Sequence, residues 1–401
     1  MRAMLKLFAV AALSATTALG QDVDIHGFIS QGWVKGTAEN NFLVSNSGKG
    51  GGSFNFNEFG VNFSKEVMPN LRLGLQLFAQ DRGSYGKDKV TLDWGFADYR
   101  MKNWFGVRAG KIKNPVGLYG DTRDTDSVRT FVLMPQPMYP DAQRDTLIAL
   151  KGLGAYGNVK MGAAGEFAYQ VQGGAVVIDP VDGTGQRIAS AFAVLLPGAP
   201  TVTMAQITTD TAMVYSFEWR PPVQGLRLQT SGFQTTIYGK ASSNSPVPTL
   251  QNFALELRSY DRTVYSIEQT LGNLILAGEF DKIEFDQIVL GKTTPQKSES
   301  WYGSATYRFT DWFELGAYHA VRYNDVNDKD GSTYHAANPT FPSHNRFHKD
   351  TAICLRFDPV KHTVLKVEYH AIDGSGMLDA SEFKTAKDTS YLLAVKVSVS
   401  F

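Results

Sequence analysis

Tyr391-Leu-Leu-Ala-Val-Lys-Val-Ser-Val-Ser-Phe401 ends the chain. Tyr391, Leu393, Val395, Val397, Val399 and Phe401 fall on one side of an extended strand, with Leu392, Ala394, Lys396, Ser398 and Ser400 on the other. Apolar groups on one face and mostly small or polar groups on the opposite face suit a wall between hydrocarbon and water. The edge strand of a globular sheet alternates in the same way, so the rest of the chain has to decide.

The same alternation recurs upstream. Leu71, Leu73, Leu75 and Leu77 share a face opposite Arg72, Gly74 and Gln76. Trp301, Gly303, Ala305, Tyr307 and Phe309 oppose Tyr302, Ser304, Thr306 and Arg308. Thr351, Ile353, Leu355 and Phe357 oppose Cys354 and Arg356, and Leu365, Val367 and Tyr369 oppose Lys366, Glu368 and His370. A polar face charged this regularly does not fit a dry sandwich core.

Turn chemistry sets the rhythm. Short joints rich in Pro, Gly, Asn and Asp fall at Met68-Pro-Asn70, Lys102-Asn103, Gly157 to Gly165, Pro221 to Gly225, Leu271-Gly-Asn273, Thr310-Asp311 and Asp358 to Lys361. Longer connections lie near 36–52, 82–88, 114–146, 179–208, 239–258, 286–298, 325–347 and 374–388. Short and long connections interleave and predict a transmembrane antiparallel β-barrel of about 16 strands with both termini at the short-turn end. Fourteen or eighteen strands also fit the pattern. Trp104, Trp219 and Trp312 all flank short joints, as an interfacial aromatic girdle requires.

At the other end, Arg2 and Lys6, the apolar stretch Leu7 to Leu13 and Ala18-Leu19-Gly20 read as an export signal over 1–20, which leaves 21–401 as the barrel. Its removal leaves 37 basic side chains against 39 acidic, a formal charge of −2, and no global field that favours nucleic acid. The lone Cys354 excludes an internal disulfide.

The connection Asn114 to Thr146 combines Asp121, Arg123, Asp124, Asp126, Arg129, Asp141, Arg144 and Asp145 with Pro115, Pro135, Pro137 and Pro140. Stiff backbone among charges points to a third external loop folded inward as a constriction. The candidate pore-constriction residues are Arg108, Lys111, Lys113, Asp121, Arg123, Asp124, Asp126, Arg129 and Arg144, facing a wall with a basic bias. The acid-rich loop and the basic wall give opposite signs of selectivity, and the sequence leaves both open.

With these features the chain resembles a Gram-negative outer-membrane porin. Asp93-Trp-Gly-Phe-Ala-Asp-Tyr-Arg100, Val107-Arg-Ala-Gly-Lys111 and Asn114-Pro115 are similar to the strand pair that precedes the third loop in that family. Arg356-Phe-Asp-Pro and Leu365-Lys-Val-Glu-Tyr369 are similar to late strands of the phosphate-selective branch, whose dense basic constriction the acid-rich loop does not match. The resemblance implies a homotrimer in outer-membrane lipid, passive diffusion of small hydrophilic solutes or ions, and Phe401 as a signal to the barrel-assembly machinery.

Other motifs weigh less. Gly152-Leu-Gly-Ala-Tyr-Gly157 has the letters of a dinucleotide fingerprint without the βαβ setting, so no cofactor is expected. Asp325 to Gly331 lacks the ligand spacing of a calcium loop, and His335, His344 and His348 read as polar loop residues, so no metal is expected either. The chain is expected not to be an enzyme. The alternatives are a lipase-like barrel using His319 with a serine, or a structural or adhesive barrel plugged by its loops.

Overall fold

A computed structural model of the chain describes residues 23–37, 43, 47–48, 50–198 and 200–401. The expected export signal lies outside the described residues. The strands are β1 (Asp24–Gly36), β2 (Asn57–Met68), β3 (Leu71–Asp81), β4 (Thr91–Lys102), β5 (Phe105–Lys113), β6 (Ala149–Lys160), β7 (Glu166–Ala175), β8 (Val202–Thr209) and β9 (Ala212–Arg220). They continue as β10 (Leu226–Ser243), β11 (Asn252–Leu271), β12 (Leu274–Val289), β13 (Lys292–Thr310), β14 (Phe313–Tyr323), β15 (Phe347–Val360), β16 (Thr363–Asp373) and β17 (Thr389–Ser400).

Sixteen of these close an antiparallel barrel, because β1 pairs with both β2 and β17. The backbones of Phe401 and Gly27 bond to each other in both directions and extend that seam. β8 stands outside the ring. It pairs with Ile237–Ser243 of β10, beyond the part of β10 that β9 occupies.

The alternation read from the sequence is the fold's inside–outside rule. On the last strand Tyr391, Leu393, Val397, Val399 and Phe401 are 36–58% exposed, whereas Leu392, Ala394, Lys396 and Ser398 are at most 2% exposed. Leu73, Leu75, Leu77, Trp301, Tyr307, Ile353 and Tyr369 likewise point outward. A closed sheet leaves no unpaired edge, and its apolar outer surface is what hydrocarbon requires. Trp104, Trp219 and Trp312 are exposed beside the short turns, and Trp312 stacks near Phe313 and Phe357. No helix among the described residues is long and apolar enough to cross a membrane.

Two predicted loops are wall. Most of 239–258 belongs to β10 and β11, and 286–298 is β12 and β13 joined at Leu290-Gly291. These strands are 16 to 20 residues long. Their long-loop ends carry Glu256, Arg258, Lys282, Glu284 and Lys297 on exposed surface, with ion pairs among them. Past the apolar band the outer face carries charge while Ile237, Phe253, Leu255 and Leu257 of the inner face are buried, so the alternation that marks a lipid-facing strand inverts there. Phe56 precedes β2 and is buried under the guanidinium of Arg82, 4.6 Å from its ring centre.

Candidate functional site

The connection between β5 and β6, residues 114–148, lies inside the barrel. The wall atoms that hold it belong to inward-facing side chains of strands around most of the ring. Ser231 on β10 accepts from the Gly117 amide at 2.9 Å. Glu279 on β12 accepts from the Leu118 amide at 2.8 Å, the Tyr139 hydroxyl at 2.5 Å, Ser266 at 2.7 Å and Tyr302 at 2.9 Å. Glu368 on β16 accepts from the amides of Val132 and Leu133, both at 2.8 Å. Arg262 on β11 and Arg356 on β15 donate to the carbonyls of Met138 and Arg129, and Thr130 bonds Glu314. Gly117 sits at φ +77°, where a Cβ would fall 2.4 Å from the Tyr139 hydroxyl and 2.9 Å from Glu279. Only glycine lets the chain pass this close.

Charge completes the attachment. Asp126 bonds Lys396 and Lys366 at 3.1 Å each, Ser398 at 2.6 Å and Arg129 at 3.3 Å. Lys396 continues to Glu58 at 2.5 Å, Glu58 to Arg82 at 2.9 Å, and Arg82 to Asp141 at 2.7 Å, so two distant parts of the loop are tied through β17, β2 and the start of the β3–β4 connection. A second chain runs along β3 to β5. Arg144 grips Asp93 with two 2.8 Å bonds, Gln76 joins Asp93 to Asp124, and Asp124 takes Lys113 at 2.8 Å. A register shift between Leu92 and Trp94 lets Asp93 turn inward.

Burial opposes ionisation of Asp126, but Lys366, Lys396 and Arg129 outweigh it and hold the carboxyl well below the usual carboxylate range. Burial likewise opposes ionisation of Asp141, and Arg82 brings its pKa down to about 2. Burial lowers Arg123 to about 10, since its partner is the Pro140 carbonyl and no carboxylate.

Of the predicted constriction residues, the structure gathers Lys113, Arg123, Asp124, Asp126, Arg129 and Arg144 into or beside this lattice. Arg123, Asp124, Asp126 and Arg144 are each at most 8% exposed. Asp121 stays exposed and gives its carbonyl to Lys113. Arg108 lies apart, toward the short-turn end, paired with Asp98 at 3.0 Å. Lys111 stands in register with Lys151 and donates to the Leu92 carbonyl. Lys366 and Lys396, which alternation puts on the inner face, are both paired with Asp126 of the loop, and Lys396 also with Glu58 of β2. The docking roles of Glu58, Gln76, Arg82, Asp93, Glu279 and Glu368 escape sequence reasoning. Alternation places most of them inside, but nothing local names their partners.

A different material fills the sector from β6 to β11. The helix Gly183–Ala193, capped by Asp182, and the chain around it pack Val176, Ile178, Ala189, Phe192 and Leu196 against Leu150, Val214, Phe233, Ile237 and Leu255 of the wall. Toward the short turns the lumen opens into a charged vestibule. There Arg227 lies between Glu218 and Glu268, Arg308 between Glu314 and Asp358, and Arg72 and Arg100 are exposed. A polar cavity bordered by Asp121, Gln170, Ser216, Glu218, Arg227 and Gln229 lies under the start of the loop.

The remaining motifs take structural places. Gly152 to Gly157 is part of β6, where a Cβ on Gly157 would lie 2.0 Å from the Trp104 carbonyl. Asp328 accepts from the amides of Thr333 and Tyr334. His335 and His344 bond Phe341 and Ser375 respectively, and His348 is buried on β15. Among the described residues no group of three or more His, Cys, Asp or Glu is placed to hold a metal. His319 points outward and bonds Thr351, not a serine.

No protein-family model and no curated protein matches the chain. Solved structures do. OmpT of Vibrio cholerae superposes with a TM-score of 0.56 at 11% identity, covering 94% of this chain and 97% of that one. OmpF of Salmonella typhi, in complex with daunomycin, gives 0.57 at 11% identity over 94% and 97%. An anion-selective porin from Comamonas acidovorans gives 0.54 at 12% identity over 94% and 99%. The fold is that of outer-membrane porins. At such low identity the likeness concerns the fold alone, and with the closed, apolar-walled barrel it makes this chain a Gram-negative outer-membrane protein.

Proposed function

We propose that the chain is a narrow outer-membrane channel for passive diffusion of small hydrophilic solutes or ions. The observation that carries this reading is the 114–148 loop, held inside a closed sixteen-strand barrel by wall side chains from β2 to β17. Solute enters among the long connections, passes the loop at the tightest level and leaves through the charged vestibule. The loop's Asp124, Asp126 and Arg144 fix the geometry of the passage, whereas Asp121, Arg108 and Arg227 are accessible to a solute and set its local field. No chemical step is required. Ser375, the serine bonded to a histidine, is 1% exposed and closed to a substrate.

The same reading includes a homotrimer, the form named for one OmpT structure of Vibrio cholerae with a similar fold, and Phe401 as the mark for barrel assembly. The test is conductance of the refolded mature chain in a planar bilayer, beside a variant in which a short Gly-Ser link replaces 119–142. Small steps from the first and larger steps from the second are expected. Silence from both, with the barrel shown to be folded, means a sealed structural barrel.

A further inference from the structure

Most inward-facing arginines have a carboxylate partner. Arg82, Arg108, Arg129, Arg144, Arg227 and Arg262 illustrate the rule. Arg123 in the loop is one exception; Arg187, on the helix within the β7–β8 connection, and Arg322, on β14, are two more, and both bond, directly or through Asn324, to the Gly376-Met377 backbone. Arg187 donates from Nη1 to the Met377 carbonyl at 3.0 Å. Arg322 donates from Nε to Asn324 at 2.8 Å, and Asn324 donates to the adjacent Gly376 carbonyl at 3.0 Å. Among the described residues no carboxylate oxygen lies within 4.0 Å of either guanidinium.

The register puts Arg322 opposite His348 and Ser300 on the inner face, above the loop. Arg187 borders a cavity with Ser84, Tyr85, Gln136, Gln186 and two carboxylates, Asp141 and Asp379. The nearby acids have other commitments: Asp141 holds Arg82, Asp281 holds Arg262, and Asp379 accepts from Ser381. Each arginine thus uses one of five N–H donors, in a crowded mouth where a lone cation is costly.

We infer that Arg187 and Arg322 form a binding site for solutes bearing a carboxylate or phosphate group, at the long-loop entrance of the barrel. This rests on the channel reading only for its purpose, since the site would select which solutes reach the loop. The planar fork of arginine suits two oxygens of one oxyanion. The hydroxyl and amide side chains beside Arg187 suit the polar remainder of such a solute.

Equilibrium dialysis of the folded full chain in detergent, against radiolabelled inorganic phosphate and separately acetate, tests this without relying on ion flow. Saturable binding of at least one anion is expected, and the arm that binds names the group. Arg187→Gln and Arg322→Gln should each weaken it by about tenfold or more. Arg187→Lys should keep part of it, and Arg258→Gln, which removes one charge from the outer rim, should leave it unchanged. Absence of saturable binding, or equal loss in Arg258→Gln, overturns the site. Binding by a barrel that conducts nothing keeps the site and removes the channel.

Discussion

Two sectors of one lumen are filled with different materials. From β14 round to β5 the inward loop is fixed by buried ions, with Asp126, Lys366, Lys396, Glu58, Arg82 and Asp141 as successive links, alongside an apolar contact of Val132 and Leu133 with Phe56, Ile372 and Leu392. From β6 to β11 hydrocarbon does the work, with Phe192 and Leu196 set against Val214, Phe233 and Leu255. The ionic sector is specific but brittle, because removing one partner leaves another charge stranded. The apolar sector tolerates small losses and is indifferent to pH.

The sharpest way to break the contrast is Asp126→Ala. It strands Lys366 and leaves Lys396 and Arg129 to share Glu58, and should cost about 3–5 kcal/mol of loop docking, read as faster hydrogen exchange over 124–133 and larger conductance steps. An unchanged exchange rate would mean that the lattice holds nothing. Glu368→Ala, which frees the Val132 and Leu133 amides, should cost less, about 1–3 kcal/mol, in the same assay. In the apolar sector Ile178→Val should cost about 0.5–1.5 kcal/mol, confined to the helix Gly183–Ala193 and equal at neutral and acid pH.

Acid should separate the sectors without mutation. Asp126 and Asp141 have folded pKa values below their unfolded ones, so their contribution is complete above the ordinary carboxylate range near pH 4 and fades as pH falls through the folded values, about 2 for Asp141. Exchange over 124–143 should therefore rise between about pH 4 and pH 2 while that of 183–193 holds. Parallel loss in both would show that the sectors are one cooperative unit.

The barrel was legible because lipid imposes a period of two that any strand must obey. The final eleven residues already display it, and the turn rhythm supplied sixteen strands and the place of the inward loop. The rule weakened where its cause did, in the tall ends of β10 to β13, where the outer face meets water instead of lipid and 286–298 reads as loop. The candidate site was half legible. Prolines and charges singled out 114–146, and alternation pointed Lys366, Glu368 and Lys396 inward, but the pairing of Asp126 with Lys396 spans 270 residues and leaves no local trace.

The sequence by itself determined which side of each strand meets lipid, because the preference of a side chain for hydrocarbon or water belongs to that side chain. Only the tertiary structure decided which inward charges neutralise one another and which, like Arg187 and Arg322, have no carboxylate partner. A Coulomb partner is set by distance in space, and closing the ring brings the end of the chain against its beginning.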